Sequence, residues 1–188
     1  MKTKRLLFTI LFMGIVLVFA NSCKKSDSES VTISDENFYK ELGITLINCY
    51  SDIYNQNLAG KPTGNQNITT NGPMGGTVVI TGSDSYDNTH GITTTDLVFA
   101  MTAVKYTYTY TDSNDKTWVT EVTLTGSTTH TGSFSSSYTS INHQSSNLYI
   151  KGSVTYDGVV RTIDGSGIVS INRSTKTAVN IFGNTVSW

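Results

Sequence analysis

From Met74 to Trp188 the chain contains no proline, the residue that interior β-strands exclude because it removes a ladder hydrogen bond. Both prolines, Pro62 and Pro73, come earlier, in a Gly-, Asn- and Thr-rich stretch from Gly60 to Gly76 that reads as a linker or crossing loop. The proline-free block reads as strand after strand. Its clearest hairpin runs from Gly152 to Ile163, where Asp157-Gly158 supplies the positive φ angles of a two-residue turn. Further punctuation falls at Asp87 to Gly91, Ser113 to Lys116, Asp164 to Gly167, Asn172 to Lys176 and Gly183-Asn184. This spacing predicts about eight strands in up-and-down order.

Alternation assigns the faces of those strands. Leu97, Phe99, Met101 and Ala103 share one side; Tyr106, Tyr108 and Tyr110 share another run, as do Trp118, Val122 and Leu124, then Leu148, Ile150, Val154 and Tyr156. Their neighbours are mostly Thr, Ser, Lys and Asp, so one face is dry and one wet. Charged residues are only 14% of the chain, against about 25% in an average globular protein, and the wet face is built from hydroxyls instead.

Upstream, Ser34 to Ala59 reads as one helix. Ser34 caps it, Asp35 and Glu36 favour the positive end of its dipole, and Gly60 with Pro62 stops it. Phe38, Leu42, Thr45, Leu46, Cys49 and Ile53 recur at helical steps and form the buried stripe, leaving Asn48, Asp52 and Asn55 to water. Gly43 costs about 1 kcal/mol relative to Ala, and its small size admits the close approach of another backbone. A long antiparallel meander curls under its own twist, and a single amphipathic helix is the natural cover for its dry side. The expected architecture is therefore α+β and mainly β: one N-terminal helix packed on a curved antiparallel meander, as an open barrel or a closed one with the helix outside.

The first residues are of a different kind. Lys2, Lys4 and Arg5 precede an uncharged run from Leu6 to Ala20, which ends in Asn21, Ser22 and Cys23. This is the tripartite pattern of a signal peptide over residues 1–22. At about 1.5 Å per residue the run spans roughly 22 Å, short of a hydrocarbon core of roughly 30 Å. After Cys23 comes a polar stretch, Lys24-Lys25-Ser26-Asp27-Ser28-Glu29-Ser30, a tether over residues 23–33 that cannot fold alone. The domain then occupies residues 34–188. Removing Lys2, Lys4 and Arg5, with no acid beside them, turns the formal charge of −1 into −4, and an acidic chain does not favour nucleic acid as a partner.

The signal, the Cys at the cut and the polar tether resemble the lipobox of Gram-negative lipoproteins. The resemblance implies that Cys23 carries the lipid, and that the protein is anchored in a membrane through it. Lys25 in the second mature position, where an Asp would favour inner-membrane retention, implies the outer membrane, with the domain facing the periplasm or the cell surface. Several acyl chains would hold the protein permanently, because each buried methylene contributes about 0.8 kcal/mol. The alternative use of Cys23 is a disulfide to Cys49, the other cysteine. Such a bond would stabilise the fold by about 3 kcal/mol on a chain-entropy model.

Chemistry-bearing residues are sparse. Tyr106, Tyr108 and Tyr110 form a ladder that, with Trp118, would serve as a ligand-binding aromatic surface if the dry face is an open pocket, and as core if it is filled. Asp84, Asp87, Asn88 and His90 offer oxygens and an imidazole, but in the residue types that a turn demands, and no metal site is assigned. His90, His130 and His143 have no nucleophile motif beside them and read as solvated. Asp96, Glu121 and Asp164 could act as acid/base carboxylates only if the fold paired them. The expectation is a non-enzymatic, cofactor-free binding module for a small apolar or glycan ligand. The competing expectation is a structural or adhesive surface protein with a filled core, and a cavity between helix and sheet is what separates the two.

Overall fold

A computed structural model describes residues 32–137, 139–174 and 176–188. Helix α1 (Asp35–Asn57) is followed by β1 (Gly64–Asn71), β2 (Thr77–Asp87), β3 (Ile92–Thr111), β4 (Thr117–Phe134), β5 (Thr139–Tyr156), β6 (Val159–Arg173), β7 (Ala178–Ile181) and β8 (Asn184–Ser187). The strands form one antiparallel sheet in the order β1 to β8. The sheet is open, with β1 and β8 as its edges. The signal segment and Cys23 lie outside the described residues.

Local chemistry sets both ends of α1. The Ser34 hydroxyl accepts from the Asn37 N–H at 3.2 Å, and at the far end the Leu58 N–H donates to the Tyr54 carbonyl before Gly60 turns the chain at φ 72°. Arg161 of β6 clamps the start of the helix: it pairs with Asp35, donates to the Ile33 carbonyl, and stacks over the Phe38 ring at 4.3 Å. Phe38, Leu42, Leu46, Cys49, Tyr50 and Ile53 are buried against the sheet. Each such side chain contributes about 1.5–3 kcal/mol relative to exposure.

The sheet must wrap the helix. Glu41 bonds to Tyr110 on β3, while a Cβ at Gly43 would sit 3.0 Å from Val179 on β7 and 3.1 Å from Trp188. Those helix positions differ by about 3 Å along the axis, yet strands four apart in a flat sheet lie about 19 Å from each other. Bulges supply the curvature, because an extra residue bends a strand and increases its twist. The ladder shifts at Met101/Val104 in β3, at Thr125/Thr129 in β4 and at Ser145/Leu148 in β5. These shifts fall at one level across three neighbouring strands.

Four sequence expectations change here. The segment read as a loop contains β1, an edge strand whose only large apolar residue is Ile68 and whose flanking prolines sit just outside it. Asp164 to Gly167 is not a turn but the interior of β6, where the Phe182 ring lies over the bare backbone; a Cβ at Gly167 would meet it at 2.9 Å. Ala103 is not on the dry face: it occupies the β3 bulge at φ 49°, exposed, so the buried positions change from Leu97, Phe99 and Met101 to Val104 and Tyr106. Asp52 is half-buried rather than given over to water, and it accepts from the Tyr106 hydroxyl at 2.6 Å. Asp157-Gly158 does form the expected turn, with φ 48° and 81°.

Gly43 resolves as a contact glycine. Replacing it with Leu puts a branched side chain where Val179 and Trp188 already lie, and overpacking of this kind costs about 1–3 kcal/mol. Thermal unfolding of Gly43→Leu is expected at a lower midpoint than wild type, and an unchanged midpoint would mean that α1 does not sit against β7 and β8 as described.

Candidate functional site

The tyrosine ladder faces the helix. Tyr106 is 6% exposed, and its hydroxyl donates to Asp52; the Tyr110 hydroxyl donates to Glu41 Oε1 at 2.8 Å. Burial, followed by the bond to the carboxylate, pushes both phenols well above their ordinary range. Trp118, paired with Tyr110 across the ladder, stacks on Tyr156 at 4.1 Å and donates to Asp112 at 3.3 Å. Tyr108 lies 5.8 Å from the Tyr110 ring. The four aromatic residues are thus brought together, but as the seam between α1 and the β3–β4 hairpin.

The cavity lies beside the last turns of α1, the stretch that also carries Asp52. It has a volume of about 220 Å³ and sits beyond the line of bulges, where the ends of β3 to β6 curve around the last turns of the helix. Tyr50, Ser51, Tyr54 and Asn55 line it from α1, Leu97 and Phe99 from β3, His130 and Phe134 from β4, Ile141 and His143 from β5, and Arg173 from the end of β6. Asn55 is exposed at its rim.

His130 and His143 overturn the expectation of solvated imidazoles. They face each other across the β4–β5 ladder, each 4% exposed, with Nδ1 to Nδ1 at 2.6 Å. The Phe99 ring lies 3.9 Å from His130, and the Tyr50 ring lies 4.8 Å from His130 and 5.2 Å from His143. Burial, reinforced by His143, holds His130 well below the ordinary imidazole value, and burial with the nearby Arg173 charge lowers His143 to about 3. Both rings are therefore neutral at pH 7. A short bond between two neutral rings needs one Nδ1–H and one Nδ1 lone pair, so of the two outer nitrogens one is an N–H donor and the other an acceptor. Neither Nε2 has a partner among the described residues.

Alternation carried the signal that was missed. His130 shares the parity of Trp118, Val122 and Leu124, and His143 lies two residues from buried Ile141. Arg173 has no such signal in the sequence around it. Its guanidinium is partly desolvated, which lowers its pKa, and it donates a long hydrogen bond to the Ser51 hydroxyl at 3.4 Å. Among the described residues no carboxylate lies within ion-pair distance of it.

The other candidates fall outside the cavity. Asp87 accepts from the Thr89 and His90 backbones and meets the His90 ring at 2.6 Å in the exposed β2–β3 turn. Asp96, Glu121 and Asp164 are exposed on three different strands, with Asp164 tied to Tyr149 and Lys151. Among the described residues no group of three His, Cys, Asp or Glu side chains could hold a metal ion. Cys49 is fully buried, its thiol pushed up to about 12 by burial, and so it packs as an apolar side chain. No described helix is long and apolar enough to cross a membrane. The chain matches no family model, no curated protein and no solved structure.

Glu41 is the buried acid of the helix–sheet seam. Desolvation raises its pKa from 4.5 in spite of the Tyr110 bond, and its Oε2 has no partner among the described residues. A raised value means that the folded state holds this proton more tightly than the unfolded chain does. Its stabilising contribution is then complete below about pH 4.5 and is lost as pH rises through the folded value. Glu41→Gln keeps an acceptor for Tyr110 and removes the charge. The variant is expected to unfold at a higher temperature than wild type at pH 8, with the difference shrinking towards pH 4; a difference that grows on acidification would refute the assignment.

Proposed function

We propose that the chain is a non-catalytic binding module, tethered to the outer membrane through a lipidated Cys23, that receives a small ligand in the cavity at the end of α1. The observation that carries this reading is the pair of buried imidazoles whose Nε2 atoms have no partner among the described residues, in the lining of a cavity of about 220 Å³. Leaving a buried polar group unpaired costs about 1–3 kcal/mol, so a pair held in that state beside an open volume marks a functional site rather than plain core. Leu97, Phe99, Phe134 and Ile141 form the apolar part of the lining, beside polar side chains of Ser51, Tyr54, Asn55, Thr95 and Thr139 that leave room for a ligand with polar groups of its own. The volume lies below the roughly 300 Å³ at which drug-sized ligands begin, and a hollow of about 520 Å³ adjoins it through Tyr54, Asn55 and Phe134.

The competing reading, a structural or adhesive surface protein, draws on the filled seam at Tyr106, Tyr110 and Trp118, which leaves no room for a ligand over most of the sheet. Native mass spectrometry on gently purified protein, with thermal-shift panels of small apolar compounds and short glycans, separates the two. A bound mass, or a rise in unfolding temperature that is abolished by His143→Leu, is the expected result. Silence across both panels would favour the adhesive reading.

The anchor has its own test. Wild type expressed in a Gram-negative host is expected to fractionate with the outer membrane and to incorporate fatty-acid label, and Cys23→Ala is expected to be released without label. A Cys23→Ala protein that stays with the membrane would remove the anchor from the proposal.

A further inference from the structure

We infer that the ligand of this cavity is a small monocarboxylic acid with an apolar ring or chain, its carboxylate held by Arg173 beside the neutral His130–His143 pair. The inference rests on the cavity being a ligand site and adds the chemical class. Three observations carry it. The first is charge. Arg173 lines the cavity, its hydrogen-bond partner is a neutral hydroxyl at 3.4 Å, and no described carboxylate pairs with it. A guanidinium presents a planar fork of donors that matches a carboxylate in a bidentate arrangement. Among the described residues it is the one cation in the lining, which fits a monoanion better than a doubly charged phosphate.

The second is the neutrality of the imidazole pair. Because the two Nδ1 atoms share one proton at 2.6 Å, the pair carries one Nε2–H and one Nε2 lone pair whichever ring holds the proton, and both Nε2 atoms are shut off from the open volume. Being neutral, the pair adds no charge to the lining and does not compete with Arg173 for an anion. The Phe99 and Tyr50 rings hold the imidazoles in place. The third is the shape of the remainder. Leu97, Phe134 and Ile141 leave an apolar space beside the polar end, and an engineered apolar cavity of about 150 Å³ is enough for benzene. About 220 Å³ therefore takes one six-membered ring with a carboxylate attached.

Benzoate is the direct probe, with toluene and benzylamine as neutral and cationic controls of the same size. Calorimetric or NMR titration of the full chain is expected to show saturable binding of benzoate, weaker binding of toluene, and none of benzylamine. Benzoate should move the ¹⁵N resonances of His130 and His143. Arg173→Met should weaken benzoate by about tenfold or more, the usual weight of a hydrogen bond to a charged group, and leave toluene unchanged. Arg173→Lys, which keeps the charge without the fork, gives an intermediate value and serves if the Met variant does not fold. Toluene binding without benzoate binding overturns the carboxylate assignment and leaves the cavity as a ligand site. Failure of both probes overturns the ligand site itself, and benzoate binding that ignores both Arg173 variants places the anion elsewhere and overturns the inference.

Discussion

The structure depends on a sheet that bends in mid-strand. A flat eight-stranded meander could cover only one side of a helix about 10–12 Å wide, and the outer strands would be left without a core. The shifts in β3, β4 and β5 let the two halves of each long strand take different directions, so that residues two apart on α1 reach both β3 and β7. Bulges also alter which residues face inward. The switch from Met101 to Val104 in β3 keeps apolar side chains on the concave face on either side of the bend, and the switch from Ser145 to Leu148 in β5 keeps buried ones there.

Wrapping has an electrostatic consequence. A helix covered from several sides has too little solvent-facing arc for all its polar residues, and Glu41 and Asp52 fall inside the covered part. The fold meets this by pairing each with a tyrosine hydroxyl from β3. A phenol suits this place because its ring packs as core while its O–H reaches a partner at the edge. Tyr106 and Tyr110 thus fix the helix to the sheet in rotation and in height. Their spacing of four residues along β3, roughly 13 Å, compares with about 16 Å between Glu41 and Asp52 along the helix axis, so α1 runs broadly along this strand.

Sequence patterning revealed the elements that depend on local chemistry. Ser34 as a cap, Asp157-Gly158 as a turn and the apolar stripe from Phe38 to Ile53 each need only their neighbours to be read, and each stands as expected. The misread segments are those where a distant residue changes the meaning of a local one. Asp164 to Gly167 has turn composition, and only Phe182 lying across the glycines makes it strand. The Gly- and Asn-rich stretch before Met74 has linker composition, and pairing with β2 makes part of it β1. Of the candidate site, the tyrosine ladder and Trp118 were legible as a group. The cavity was not, because Arg173 stands far from His130 in sequence, and the two imidazoles meet through a ladder register that no single strand encodes.

The seam and the cavity use their polar residues in opposite ways. Along the helix from Glu41 to Asp52 each phenol of the seam that meets a carboxylate is matched within the chain. At the cavity the imidazole pair satisfies itself only through Nδ1, and Arg173 approaches no acid among the described residues. Phe99 and Tyr50 brace the pair, and no described side chain answers it. A fold gains nothing in stability from burying two imidazoles with an unpartnered nitrogen each beside a desolvated guanidinium, since apolar residues of similar volume would pack there at lower cost. The arrangement is accounted for if Arg173 is kept for something that enters from outside, and its unmatched charge sets the sign of what enters.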